Sequence, residues 1–195
     1  MEAYDLARFL LNVAFRSLWR LRVEGAARVP REGPLILACN HVSYVDPPVL
    51  GCAAPRTVSY MAKSELFRVP LLGPAIRMVR AFPVERGKGD VAAIRTAVKV
   101  IERGGCVGIF PEGGRVKRGE ERQPQAGVAL LAYLSGARVV PAAIVGSDRA
   151  VHLGAITVRF GDPMEFRPAG AKATREELAA FSAAVLERIR ALREG

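Results

Sequence analysis

Leu35-Ile36-Leu37-Ala38-Cys39-Asn40-His41 carries the pattern of a central strand. Five apolar residues follow one another and stop at an amide and an imidazole. So short a run suits a strand buried on both faces, since helices are usually longer. The same pattern repeats along the rest of the chain. Val58–Met61, Phe82–Val84, Cys106–Phe110, Val139–Val145 and Thr157–Phe160 read as further strands. Between them lie helical patterns. Asp90 caps a helix carrying Val91, Ile94, Val98 and Ile101 on one face, stopped by Gly104-Gly105. Gln125–Ser135 places Val128, Leu131 and Leu134 inward and ends at Gly136. Thr174 and Glu177 form a capping box before a stripe of Leu178, Phe181, Val185, Ile189 and Leu192. Alternating strands and helices predict an α/β single domain with a largely parallel central sheet flanked by helices.

In such sheets, ligands bind beyond the carboxyl ends of the strands. Polar residues gather at those ends here. The first strand ends in Asn40-His41, followed by Val-Ser-Tyr-Val-Asp46. Phe82–Val84 runs into Glu85-Arg86. Cys106–Phe110 runs into Pro111-Glu112-Gly113-Gly114-Arg115. Five residues separate His41 from Asp46, about 140° on an ideal helix, so they share no helical face. They meet only if the chain turns after His41. Pro47-Pro48 favour that turn, with Asp46 extended and a helix beginning at Pro47. A carboxylate on one imidazole nitrogen fixes the tautomer and makes the other nitrogen a better base. Asp46 could also cap the helix that follows, and His41 could be a satisfied core histidine.

Arg86 and Arg115 suit an anionic group, which a guanidinium grips in bidentate fashion. Gly113-Gly114 allow close backbone approach, or simply a tight turn. Glu112 could orient an arginine or a substrate hydroxyl. Ser43 and Tyr44 could line the pocket, but read rather as filling the turn. His152 has no partner in sequence.

The bulk numbers narrow the partners. The chain has 195 residues, 50% of them hydrophobic, and a net charge of +10. Nine Lys or Arg and four Asp or Glu fall between Lys63 and Arg103, half of that net charge. Such a balance favours anionic partners. Nucleic acid is disfavoured, because the 7% of aromatic residues are not interleaved with the basic window as a stacking platform. Cys39, Cys52 and Cys106 have no metal-ligand spacing and sit among apolar residues, as reduced core thiols. No metal site is expected.

Residues 4–22 read as an amphipathic helix. Leu6, Leu10, Val13, Ser17 and Leu21 form its stripe, widened by Phe9, Ala14 and Leu18. Leu11, Phe15 and Trp19 add a second apolar contribution, and Arg8, Arg16, Arg20 and Arg22 supply charge. Such a helix can lie in a lipid interface or pack on the domain, and the two are compatible. No apolar run approaches the ~18 residues of a membrane span. The expected division is residues 1–22 as an interfacial helix and residues 23–195 as the catalytic domain.

Taken in order, Asn-His-x4-Asp at 40–46, Phe-Pro-Val-Glu-Arg at 82–86, Phe-Pro-Glu-Gly-Gly-Arg at 110–115 and Val-Val-Pro-Ala-Ala-Ile at 139–144 strongly resemble the glycerolipid acyltransferase family. Within it the similarity is to the bacterial 1-acylglycerol-3-phosphate acyltransferases. It runs from about residue 23 to about residue 165 and includes Met61–Phe67 and Gln125–Ala129.

That resemblance implies a general base at His41, oriented by Asp46, that deprotonates a hydroxyl for direct attack on an acyl thioester. It implies that Arg86, Glu112, Gly113 and Arg115 hold the acceptor's phosphate and glycerol. Lys63 is a further substrate-binding residue on this reading. No cofactor is implied beyond the co-substrate, an acyl-coenzyme A or acyl carrier protein thioester. The acceptor would be 1-acylglycerol 3-phosphate (lysophosphatidic acid) and the product phosphatidic acid. The enzyme would sit peripherally on the cytoplasmic face of an anionic cell membrane.

The chain departs from the family pattern at Gly114 and Val116, where hydroxyl residues are usual, and at Ala81, where glycine is usual. The lost hydroxyls bear on the acceptor. Glycerol 3-phosphate, another lysophospholipid or a lyso-aminolipid is the alternative acceptor. A basic nucleic-acid or membrane-binding module without catalysis is the alternative of another class.

Overall fold

The computed structural model describes residues 3–70, 72–84, 91–116, 120 and 122–195. Its centre is β2 (Leu35–Cys39), every residue of which is buried. Successive residues face opposite layers, as strand geometry requires. Leu35, Leu37 and Cys39 enter one apolar cluster, whereas Ile36 and Ala38 enter the other.

Six more strands complete the sheet: β1 (Arg22–Glu24), β3 (Ser59–Lys63), β4 (Ala81–Val84), β5 (Cys106–Ile109), β6 (Arg138–Val145) and β7 (Thr157–Phe160). Their spatial order is β1-β7-β6-β2-β5-β3-β4. Strands β6, β2, β5, β3 and β4 run parallel, β7 runs antiparallel to β6, and β1 runs parallel to β7. The expected α/β architecture with a largely parallel sheet is present. One face of the sheet is covered by α1 (Ala3–Leu18) and α2 (Asp46–Ala53), through Phe15, Val49 and Leu50. The other is covered by α4 (Val91–Glu102), α5 (Gly127–Ser135) and α6 (Arg175–Glu194), through Ile101, Leu131, Val185 and Ile189. A short α3 (Leu72–Met78) precedes β4. The capping box expected at α6 forms. Thr174 Oγ1 accepts from the Glu177 N–H at 3.1 Å, and Glu177 Oε2 accepts from the Thr174 N–H at 2.7 Å. The expected cap at Asp90 lies outside the described residues.

Helix α1 is shorter than the periodicity suggests. Arg20 takes a left-handed backbone (φ 46°), and the Arg22 N–H then donates to Ile156 O at 2.9 Å to begin β1. A strand made of Arg-Val-Glu carries no apolar run that could have announced it. The two apolar contributions on α1 separate onto opposite sides. Leu11, Phe15 and Trp19 pack inward. Leu6, Phe9, Leu10 and Val13 are exposed. On the inner side the Asn12 amide donates to Cys52 O at 3.0 Å, and Arg8 donates to Gly51 O at 3.1 Å and to Ala54 O. Those bonds satisfy carbonyls at the end of α2, which no helical N–H can reach. Among the described residues no helix is long and apolar enough to cross a membrane.

Candidate active site

The carboxyl ends of β2 and β5 are adjacent, and the two loops leaving them are bonded to each other. Asn40 comes first. Its buried side chain continues the ladder past the end of β2, donating from Nδ2 to Ile144 O at 2.9 Å and accepting at Oδ1 from the Ile144 N–H at 2.7 Å. This fixes the backbone where His41 leaves the sheet. The His41 peptide is then held on both sides by the loop after β5. Its N–H donates to Glu112 Oε2 at 2.7 Å, and its carbonyl accepts from the Val116 N–H at 2.8 Å.

The chain turns after His41 and Asp46 reaches back, but α2 begins at Asp46 itself, so this residue is helical rather than extended as Pro47-Pro48 suggested. Its Oδ2 lies 2.9 Å from His41 Nδ1 and also accepts from the Val42 and Ser43 N–H groups at 2.7 Å each. Asp46 therefore belongs to the first turn of α2 without bonding that helix's amides, and Val45 occupies the cap position. The Val42 and Ser43 N–H groups make this carboxylate oxygen an acceptor, so the imidazole presents Nδ1–H to it and leaves the Nε2 lone pair outward. Asp46 is wholly buried, whereas the His41 side chain keeps 13% of its surface accessible. The orienting group is thus shielded and the base is reachable. Phe110 stacks on the His41 ring, with centroids 4.2 Å apart and planes 24° apart.

Glu112 is buried, and that burial pushes its carboxyl above the usual range, against the hydrogen bond from His41, which lowers it. Its bonded partner is therefore the His41 backbone. Gly113 has a left-handed backbone (φ 71°), and a Cβ there would lie 2.1 Å from the Gln125 side-chain nitrogen. Its N–H donates to Phe110 O at 3.0 Å inside the turn. The left-handed backbone is what favours glycine here, since the end of the exposed Gln125 side chain can move aside from a Cβ. Arg115 is exposed. Its Nη2 donates to the Tyr44 hydroxyl at 2.7 Å, and its guanidinium carbon lies 3.5 Å from the Tyr44 ring centroid.

The structure thus brings together His41, Asp46, Glu112, Gly113 and Arg115. Lys63 ends β3 on the same rim, exposed and two strands from β2. Arg86 lies outside the described residues. Sequence reading gave no role to Asn40, and it left Phe110 as strand and Tyr44 as turn filler. The first two could have been found from their places beside the strand ends. The Tyr44 contact, in contrast, depends on how two distant loops meet.

Cys39, beside the site, is no nucleophile. Burial, followed by the charges of Asp46 and Glu112, holds its thiol well above the ordinary value. Burial likewise raises Cys52 to about 11 and Cys106 to about 12. A shielded carboxylate, a reachable imidazole and an exposed guanidinium beside it can remove a proton from a hydroxyl next to an anionic group.

Comparison with known proteins agrees. The Acyltransferase family model matches residues 20–145. The 1-acyl-sn-glycerol-3-phosphate acyltransferase of Bacillus subtilis (strain 168) is 31% identical over 97% of this chain and 96% of its own. The chloroplastic 1-acyl-sn-glycerol-3-phosphate acyltransferase LPAT1 of Arabidopsis thaliana is 24% identical over 76% of this chain, which spans 42% of that longer protein. In fold, the chain resembles the crystal structure of the 1-acyl-sn-glycerophosphate acyltransferase of Thermotoga maritima. The TM-score is 0.71 at 22% identity, covering 98% of this chain and 83% of the other. With its sheet, its His-x4-Asp turn and the matched region in agreement, the chain belongs to the Acyltransferase family.

Proposed function

We propose that this enzyme transfers a fatty acyl group from a thioester to the free hydroxyl of 1-acylglycerol 3-phosphate, giving phosphatidic acid. The observation that carries this reading is the 2.9 Å contact of His41 Nδ1 with Asp46 Oδ2, beside the exposed guanidinium of Arg115. The full-length similarity to the Bacillus subtilis enzyme supports the choice of acceptor.

The chemistry follows from the tautomer. His41 Nε2 takes the proton of the acceptor hydroxyl as its oxygen attacks the thioester carbonyl carbon. The tetrahedral intermediate collapses by breaking the carbon–sulfur bond. The thiolate leaves and receives a proton from the His41 imidazolium, restoring the neutral base. Asp46 stabilises the imidazolium between those steps. No acyl-enzyme forms, in keeping with the neutral, buried Cys39. Arg115 and Arg86 bind the acceptor phosphate on this reading, and Lys63 supports the same anionic end. Glu112 and Gly113 hold the shape of the loop against which the acceptor lies.

The enzyme lies peripherally on a membrane. The outer face of α1, with Leu6, Phe9, Leu10 and Val13 exposed, rests in the lipid interface while Phe15 anchors the helix to the domain.

An acceptor panel tests the assignment. Labelled acyl-coenzyme A or acyl carrier protein is offered with 1-acylglycerol 3-phosphate, glycerol 3-phosphate, lysophosphatidylcholine or a lyso-aminolipid. Phosphatidic acid is the expected dominant product. Preferential acylation of any other acceptor would replace the assignment.

A further inference from the structure

The rim opposite the candidate active site carries a second concentration of positive charge. A cleft of about 750 Å³ opens at the amino ends of the strands, where Ser59 and Cys106 begin β3 and β5. Its cationic lining is Arg8, Arg31, Arg56, Arg80, Lys99 and Arg103. Four of these come from equivalent places. Arg31, Arg56, Arg80 and Arg103 stand shortly before β2, β3, β4 and β5, four parallel neighbours in the sheet. Arg8 is contributed by α1 and Lys99 by the last turn of α4. No carboxylate is among the described lining residues.

Two of the cations are held in place by neutral acceptors. Arg56 Nη1 donates to Pro30 O at 3.2 Å and Gly33 O at 2.9 Å, and its Nη2 donates to Gly104 O, tying the loops before β2 and β5. Arg8 is held on Gly51 O and Ala54 O. Carbonyls satisfy hydrogens without cancelling charge, so each guanidinium keeps its full positive charge. Basic residues at a helix carboxyl end compensate its dipole. That accounts for Lys99 and Arg103 but not for the convergence of Arg8, Arg31 and Arg56. Concave walls of one sign concentrate the field and attract counter-ions.

We infer that this cleft is a second anion site, distinct from the catalytic rim, that binds a phosphate group. A lipid headgroup and a soluble phosphorylated molecule share that chemistry. The inference stands apart from the acyl-transfer reading, since it involves neither His41 nor Arg115.

The test uses the full chain and the triple variant Arg31→Gln, Lys99→Gln, Arg103→Gln. These three side chains are exposed, and Arg8 and Arg56 stay in place to hold the loops. Acyl transfer to a short-chain, monomeric acceptor should match wild type in the variant, which certifies its fold. If acyl transfer itself is absent from wild type, the melting temperature serves as the fold control and only the acyl-transfer reading is lost. One probe is vesicles of phosphatidylcholine with or without phosphatidylglycerol. The other is inorganic pyrophosphate, followed by the rise it causes in melting temperature. The basic residues contribute roughly fivefold each near an anionic lipid surface, so phosphatidylglycerol-dependent retention should fall about a hundredfold in the variant. Loss of that retention alone assigns the phosphate to a lipid. Loss of the pyrophosphate effect alone assigns it to a soluble molecule, and loss of both establishes the site for either. A variant equal to wild type with both probes would overturn the inference. So would a wild-type preference for a DNA oligonucleotide over both probes.

Discussion

The guanidinium carbon of Arg115 lies over the Tyr44 ring, 3.5 Å from its centroid, and Arg115 Nη2 donates to the Tyr44 hydroxyl at 2.7 Å. Two motifs 71 residues apart in sequence are thereby joined on the outer side of the site. An exposed cation–π contact contributes about 0.5–1 kcal/mol, enough to hold Arg115 near the place where an acceptor phosphate would bind. Tyr44→Ala should raise KM for a phosphorylated acceptor about two- to fivefold and leave kcat nearly unchanged. Tyr44→Phe keeps the ring and should recover most of the loss. Steady-state kinetics with an unphosphorylated acceptor as control separates this from a change in the base.

Arg115 itself should matter more. Hydrogen bonds to charged groups contribute about 1.5–3 kcal/mol, so Arg115→Ala should raise KM for the phosphorylated acceptor roughly 10- to 100-fold. If kcat instead fell equally for phosphorylated and unphosphorylated acceptors, a phosphate-binding role would be wrong.

Asp46 Oδ2 receives three donors, His41 Nδ1 among them. Asp46→Asn preserves the side chain's volume but offers no charge to the imidazolium and allows the wrong tautomer. Thiol release should fall roughly 10⁴-fold, by the logic of a buried aspartate behind a catalytic histidine. Circular dichroism should show the fold retained. Activity within tenfold of wild type would remove Asp46 from the mechanism.

Glu112 gives a pH-dependent prediction. Burial raises its carboxyl pKa, so in the acid range the folded chain binds that proton more tightly than the unfolded chain does. This contribution to stability is full below the unfolded carboxylate pKa and is lost as pH rises through the raised native value. Glu112→Gln removes it while keeping an oxygen for the His41 N–H. Its melting temperature relative to wild type should climb with pH across that window and then level off. Glu112→Ala leaves the His41 N–H without its acceptor and should cost about 1–3 kcal/mol in denaturant unfolding.

The outer face of α1 can be tested without touching its inner face. Phe9→Ser with Leu10→Ser should weaken vesicle binding at least tenfold, since each large apolar side chain contributes about 1.5–3 kcal/mol when buried. The melting temperature should hold, because both side chains are exposed. Removing residues 1–22 would be a poorer test, because Phe15 and Leu21 belong to the core. Unchanged vesicle binding in the double variant would remove the lipid role of this face.

Much of the architecture was legible because burial writes itself into short apolar runs. Leu35–Cys39, Cys106–Ile109 and Val139–Val145 declare strands buried on both faces, and the polar residues that follow them mark the ligand-bearing rim. What escaped depends on long-range geometry. Arg22–Glu24 is a strand only because β7 (a partner more than 130 residues later) offers its edge. The antiparallel run of β7 follows from the path after β6, which composition does not encode. The contact of Glu112 with the His41 N–H needs two loops to meet, and Arg56 looks like any surface arginine until its three carbonyl partners are seen. The meeting of His41 with Asp46 was legible as a turn before Pro47-Pro48, but its form was not, because the Val42 and Ser43 N–H groups close it on Asp46 Oδ2 with Asp46 already in α2.

If His41 is the base for transfer of an acyl group to 1-acylglycerol 3-phosphate, thiol release from labelled palmitoyl-coenzyme A or the matching acyl carrier protein thioester, with that acceptor in mixed micelles, should separate wild type from His41→Ala. Wild type should release thiol and form labelled phosphatidic acid, with a loss of at least ~10²–10⁴-fold in the variant. Equal turnover by the two proteins, or release by neither with either donor, would contradict that role of His41.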